Sequence, residues 1–278
     1  MRYSAEISRS NPTCFMFLVD QSGSMKKPFG REPGTRKAQG VADAINRLLY
    51  DLVLRCTTGE NILPRYFIGV LGYGKEVGPA LGGELAGQGL VLVSDVGTKP
   101  LRIEKRTKKV SDGAGGVVET SVIFPVWLDP LAEGPRTPMC QALAEARRTI
   151  GDFVRACPGA FPPIVINITD GEANDGDPEP EAMALRELAT DDGHVLLFNA
   201  HVSSANERPI EFPAMEAALP DKYAQRLFRM SSPLPPRMIA EARSMEHEVV
   251  DGARGFVFNA DLVSVVQFLD IGTRTGPN

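Results

Sequence analysis

Short apolar runs alternate along this chain with longer stretches in which apolar residues recur every three or four positions. The runs Cys14–Val19, Tyr66–Gly72, Val122–Leu128, Ile164–Thr169, Val195–Val202 and Gly255–Asn259 read as strands. Several are apolar almost throughout, as strands covered on both faces are. Between them, Lys37–Arg55 places Val41, Ala44, Ile45, Leu48, Leu49 and Leu52 on one helical stripe, and Gln141–Ala156 does the same with Leu143, Ala146, Ile150 and Phe153. Further helices are predicted at Glu179–Ala189, Pro236–Met245 and Leu262–Thr273, the last capped by Asp261. Strands that alternate with helices imply an α/β fold, a doubly wound, mostly parallel sheet with helices on both faces.

Two stretches break the rhythm. Residues from about 74 to 121 begin glycine-rich, carry two β-like runs, Leu90–Val93 and Leu101–Ile103, and end near the basic cluster Lys105, Arg106, Lys108 and Lys109. They read as a β-rich insertion. Residues 203–235 hold Pro209, Pro213, Pro220, Pro233 and Pro235, and read as an irregular connection with one short helix around Met215–Leu219. The whole chain, 1–278, reads as a single domain.

In an open α/β sheet ligands bind outside the carboxyl ends of the strands, so polar residues just after apolar runs are the ones to weigh. Three places qualify. FLVDQSGSM puts Asp20, Ser22 and Ser24 directly after the first strand. Thr169, Asp170, Gly171, Glu172, Asn174 and Asp175 follow Ile164–Ile168. Thr137 lies in GPRTPM, between the Val122–Leu128 run and the helix that follows. Carboxylates and hydroxyls without His or Cys nearby suit a hard divalent cation, Mg²⁺ or Mn²⁺ before Ca²⁺. If Ser22, Ser24 and Thr137 supply the direct contacts, the ion keeps much of its charge and attracts a carboxylate from outside.

These residues resemble the von Willebrand factor A (vWA) domain. Asp20-Gln21-Ser22-Gly23-Ser24 is similar to its DxSxS motif, Thr137 to its separate threonine, and Thr169-Asp170-Gly171 to its TDG motif. The resemblance implies a three-layer Rossmann-like fold with a metal-ion-dependent adhesion site. By that resemblance Ser22, Ser24 and Thr137 touch the cation, Asp20 and Asp170 hold its waters, and the open position takes an Asp or Glu of a partner protein. It implies a microbial, cytoplasmic adaptor rather than an enzyme, working beside an AAA+ ATPase or a kinase and phosphatase pair. It also marks Leu262–Thr273 as an element that shifts on ligand binding. The departures are KKPFGREPGT, a long loop before the first long helix, and the two enlarged stretches.

The remaining signals are weaker. A net charge of -5 gives no support to nucleic-acid or membrane-surface binding, and the basic cluster reads as a solvated hairpin tip. Cys14–Val19 is too short for a signal-peptide core or a membrane span. Cys14, Cys56, Cys140 and Cys157 are widely spaced and read as buried, reduced thiols. GVLGYGKE lacks the hydroxyl after lysine and the helix that a P-loop needs. His194, His201 and His247 have no evident partner, and Trp127 reads as core. Asp175 reads as a cap for the helix near Glu179. A metal-dependent hydrolase or phosphatase remains as an alternative, with Glu172 its one evident base, and so does a scaffold whose metal is structural.

Overall fold

The computed structural model describes residues 3–30, 34–111, 117–204, 208–260 and 267. The predicted helix at Leu262–Thr273 therefore lies outside the described residues, apart from Gln267. The central sheet contains β1 (Thr13–Asp20), β2 (Tyr66–Tyr73), β3 (Val77–Pro79), β4 (Val91–Leu92), β5 (Ile164–Thr169), β6 (Leu196–Val202), β7 (Ile210–Glu211) and β8 (Phe256–Ala260). Its order is β7-β8-β6-β5-β1-β2-β3, with β4 also paired to β2. Strands β8, β6, β5, β1 and β2 are parallel, and the short β3, β4 and β7 run antiparallel at or near the edges.

Alternation along β1 explains the layering. Phe15, Phe17 and Val19 join one core with α1 (Lys37–Cys56), α2 (Val93–Thr98) and α6 (Pro236–Ser244). Cys14, Met16 and Leu18 join a second core with α3 (Met139–Ala156), α4 (Glu179–Glu187) and α5 (Lys222–Met230). Every residue of β1 is buried, because both faces of the sheet are covered. Filling either core with a phenylalanine such as Phe17 stabilises the fold by several kcal/mol, since Phe→Ala in a core costs about 3–5 kcal/mol.

The chain winds from β1 to β2 in one direction and from β5 to β6 to β8 in the other. The reversal falls between β1 and β5, the crevice where doubly wound sheets bind ligands. Parallel register aligns the strand ends there. Asp20 sits opposite Tyr73, Val19 opposite Ile168, and Thr169 opposite His201.

Three segments differ from expectation. The Val122–Leu128 run does not enter the sheet; Val117–Val126 forms a two-stranded hairpin with Arg102–Ser111. Pro125 lacks the N–H that a central strand must donate, and Ile123 is 64% exposed, so this ribbon suits an edge and not the interior. The Leu90–Val93 run yields only the two-residue β4 before the chain turns helical at Val93. The third is α5, which occupies the middle of the stretch read as irregular, while Met215–Leu219 contributes only one 3₁₀ turn at Glu216–Ala218.

Candidate metal centre

The loop after β1 is shaped by its own aspartate. Asp20 is wholly buried; its Oδ1 accepts the Ser22 N–H at 2.8 Å, and its Oδ2 accepts the Thr169 hydroxyl at 2.8 Å. The first bond turns the chain so that Ser22 and Ser24 project on the same side, their hydroxyls 2.9 Å apart. Ser24 Oγ then donates to Asp170 Oδ1 at 2.6 Å. Asp20, Ser22, Ser24, Thr169 and Asp170 are thus one hydrogen-bonded unit across the β1/β5 crevice.

Thr137 arrives by another route. Its loop comes from the hairpin and not from a sheet strand, and is fastened to the β1 loop by Glu133 N–H donating to Gln21 O at 2.6 Å and Gly23 N–H donating to Gly134 O at 2.9 Å. Gly134 has φ +93°, and a Cβ there would lie 2.8 Å from the Lys75 backbone nitrogen, so only glycine fits. On the other side Asn174 Oδ1 accepts Thr137 N–H at 2.9 Å while Asn174 N–H donates to Thr137 O at 3.2 Å. Thr137 is 7% exposed. All three predicted loops therefore meet at one end of the sheet. Asp175 belongs to the same joint: its carboxylate accepts the N–H groups of Cys140 and Gln141 at 3.1 and 3.0 Å. It caps α3, and Asp177 instead accepts the Glu179 N–H.

Two further residues enter: Lys37, which the sequence did not flag as part of the site, and His201, which it left without a partner. Lys37, the first residue of α1, lays its ammonium 2.9 Å from Asp170 Oδ2, with side-chain exposures of 6% and 1% for the pair. Its only sequence signal is its position directly after the long KKPFGREPGT loop. His201, at the end of β6, stacks on Phe258 and takes the Asn259 N–H on Nδ1 at 3.3 Å. Burial, and then the nearby Lys37 charge, hold its pKa down at about 4, so the ring is neutral at pH 7. Asp20 is pushed the other way: burial raises its carboxyl, Asp170 adds to the rise, and the Ser22 and Thr169 hydrogen bonds oppose it.

Beneath the crevice a neutral polar chain supports the strand ends. Tyr73 Oη donates to Asn167 Oδ1 at 2.6 Å, and Asn167 Nδ2 to Asn199 Oδ1 at 2.9 Å. Asn199 Nδ2 donates to Ser231 Oγ at 2.9 Å, which donates to Leu227 O at 2.7 Å and so fixes α5.

Elsewhere the secondary signals resolve simply. Trp127 is buried and donates to Val96 O. The GVLGYGKE segment leads into β3, not a helix. Arg106 lies over the Phe124 ring at 3.9 Å and pairs with Asp43 and Glu104. All four cysteines are free, Cys14 and Cys56 buried and Cys140 and Cys157 half-buried. Burial, and then a hydrogen bond to Asp175, lifts the Cys140 thiol to about 12.

Among the described residues no three His, Cys, Asp or Glu side chains gather as a metal-ligand group, so any cation here depends on the hydroxyls as well as the two carboxylates. No family model matches the chain, and no curated protein does. Among solved structures it is similar to the manganese-loaded TRAP protein of Plasmodium vivax, at 17% identity and a TM-score of 0.36, over 74% of this chain and 63% of that one. It is also similar to the three N-terminal domains of the type V pili tip protein Mfa5 of Porphyromonas gingivalis, at 14% identity and 0.29, over 59% and 20%. The vWF domain of Mfa5 gives 16% identity and 0.30, over 59% and 39%. The chain spans less than two thirds of each of these proteins, and the fold described above stands on its strand order and register.

Proposed function

We propose that this chain is a vWA-type binding module that grips an Asp or Glu of a partner protein through a divalent cation, Mg²⁺ or Mn²⁺. One observation carries the reading. Asp20, Ser22, Ser24 and Asp170 are linked by bonds of 2.6–2.9 Å at the β1/β5 reversal, and the loop that carries Thr137 is fastened to both of theirs through backbone bonds and Asn174. The donor set fits a hard cation, being all oxygen and carrying two carboxylates next to each other. Ser22, Ser24 and Thr137 would hold the ion directly, and Asp20 and Asp170 would hold its waters and orient the hydroxyls. Bound there, the metal would supply an electrophilic position for a carboxylate.

Binding without turnover is the fuller account of these groups. The hydrolase alternative needs a general base, and Glu172 instead faces Arg226 of α5 at 3.7 Å, while the His201 ring is committed to Asn259 and Phe258. We place the module in the cytoplasm as an adaptor for an AAA+ ATPase or a kinase and phosphatase pair. No helix among the described residues is long and apolar enough to cross a membrane.

The test is affinity capture from host lysate with Mg²⁺, with EDTA, and with Asp20→Ala in Mg²⁺, beside a Mn²⁺ titration of both proteins. A partner retained only by the wild type in Mg²⁺, with Mn²⁺ binding lost in Asp20→Ala, is the expected result. The same proteins in all three lanes would overturn metal-mediated recognition.

A further inference from the structure

Both oxygens of Asp170 are engaged. Its Oδ1 takes the Ser24 hydroxyl and its Oδ2 the Lys37 ammonium, at 2.6 and 2.9 Å. With both partners of the ion pair buried, little water screens them, and a third charge placed beside them feels them strongly.

The ammonium reaches this spot through the long loop. Lys37 N–H donates to Lys27 O at 3.0 Å and Phe29 N–H to Thr35 O at 2.9 Å, which closes the loop upon itself. Phe29 is fully buried against Gly40, where a Cβ would come within 2.1 Å of the ring. Gly30 N–H donates to Ser203 O at 2.8 Å, and Ser204 Oγ to Pro28 O at 2.7 Å, which binds the loop to the chain leaving β6. The loop and the first turn of α1 are therefore held from two sides. Lys37 is fixed over Asp170 rather than free to swing into water.

Charge then decides the consequence. A divalent cation beside Asp20 favours its ionised form, whose oxygens have a backbone N–H and the Thr169 hydroxyl at 2.8 Å. Asp20 and Asp170 bring two negative charges, and Lys37 cancels one. A divalent ion that would find a doubly negative site without the lysine finds a singly negative one with it, and its own charge is left partly uncancelled.

We propose that Lys37 is a tethered cation that weakens divalent-metal binding at the Asp20, Ser22, Ser24, Thr137 and Asp170 cluster and keeps Asp170 paired when the metal is away. This inference rests on the metal-site reading above. The full chain is titrated with Mn²⁺ alone, free ion being counted by electron paramagnetic resonance, for wild type, Lys37→Met, Lys37→Gln and the control Asp20→Ala. Both Lys37 variants should bind Mn²⁺ at least about tenfold more tightly than wild type. In EDTA the Lys37→Met melting temperature should fall, and saturating Mn²⁺ should raise it by more than it raises the wild type's. Should Lys37→Met fail to fold, Lys37→Gln, which keeps an N–H for Asp170, carries the comparison. Equal or weaker binding by the folded Lys37 variants, with binding lost in Asp20→Ala, overturns the role of Lys37 and leaves the metal site standing. No saturable binding in any protein, or binding that survives Asp20→Ala, removes the metal site and this inference together.

Discussion

Two polar clusters lie one above the other in the middle of this sheet, and they close their hydrogen bonds differently. In the lower one, Tyr73, Asn167, Asn199 and Ser231 are neutral, and the chain of donors ends on a backbone carbonyl, Leu227 O. In the upper one, the Asp20 and Asp170 carboxylates are bonded with the hydroxyls of Ser22, Ser24 and Thr169, and the Lys37 ammonium pairs with Asp170, so acceptor capacity exceeds the donors present. A closed neutral network specifies how α5 and the strands pack; an open charged one has the spare acceptors that the metal-site proposal assigns to a cation.

Mutations should separate them in order of size. Asn167→Ala strips a partner from Tyr73 and Asn199, both buried, and should lower stability by about 3 kcal/mol in urea unfolding, with Mn²⁺ affinity little changed. A large loss of Mn²⁺ affinity there would merge the two clusters into one. Asp20→Asn should do the reverse: roughly a hundredfold weaker Mn²⁺ binding by calorimetry, and a stability in EDTA within about 1 kcal/mol of wild type.

His201 marks the border between the clusters and has a pH signature. Its pKa falls from the ordinary 6.5 to about 4 in the fold, so between those values the unfolded chain binds the proton that the native state refuses. Stability from this group is present above about 6.5 and is lost as pH drops toward 4, by about 3 kcal/mol in all. His201→Gln should flatten that slope in chemical denaturation curves collected across the range; an unchanged slope would assign it to another group. The smallest effect belongs to Arg106→Ala, whose ion pairs with Asp43 and Glu104 are partly exposed and screened, and which should cost under about 1 kcal/mol. A loss as large as that from the buried pair Lys37–Asp170 would contradict the distinction drawn between open and buried charges.

The parallel strands and long helices were legible because burial on both faces leaves unbroken apolar runs such as FMFLV, and one-sided burial leaves the stripe Val41, Ala44, Ile45, Leu48. That Asp20 and Asp170 lie together was legible because they follow adjacent parallel strands, whereas the Thr137 loop reaches them from the hairpin, by a route that strand ends alone do not give. What failed was whatever depended on long-range pairing. Val122–Leu128 looks like a sheet strand until its partner, Arg102–Ser111, is known. Helix α5 carries its own signals, with Asp221 accepting from Tyr223 and Ala224 N–H and with Ala224, Leu227 and Phe228 spaced along one face, but the surrounding prolines obscured them. Lys37 was hidden for a different reason: a helix-opening lysine ordinarily points to water, and the long-range bond from its own N–H to Lys27 O, with the Asp170 ion pair, holds this one inward.

Asp175 offers a last consequence. Because it caps α3 from a loop 34 to 35 residues away, the first turn of that helix is not self-sufficient. The amides of Cys140 and Gln141 are protected from hydrogen exchange only while the Asp170–Asp175 loop stays in place. Their exchange rates make a resident clock for the opening of the crevice, readable without a label and without knowing the partner.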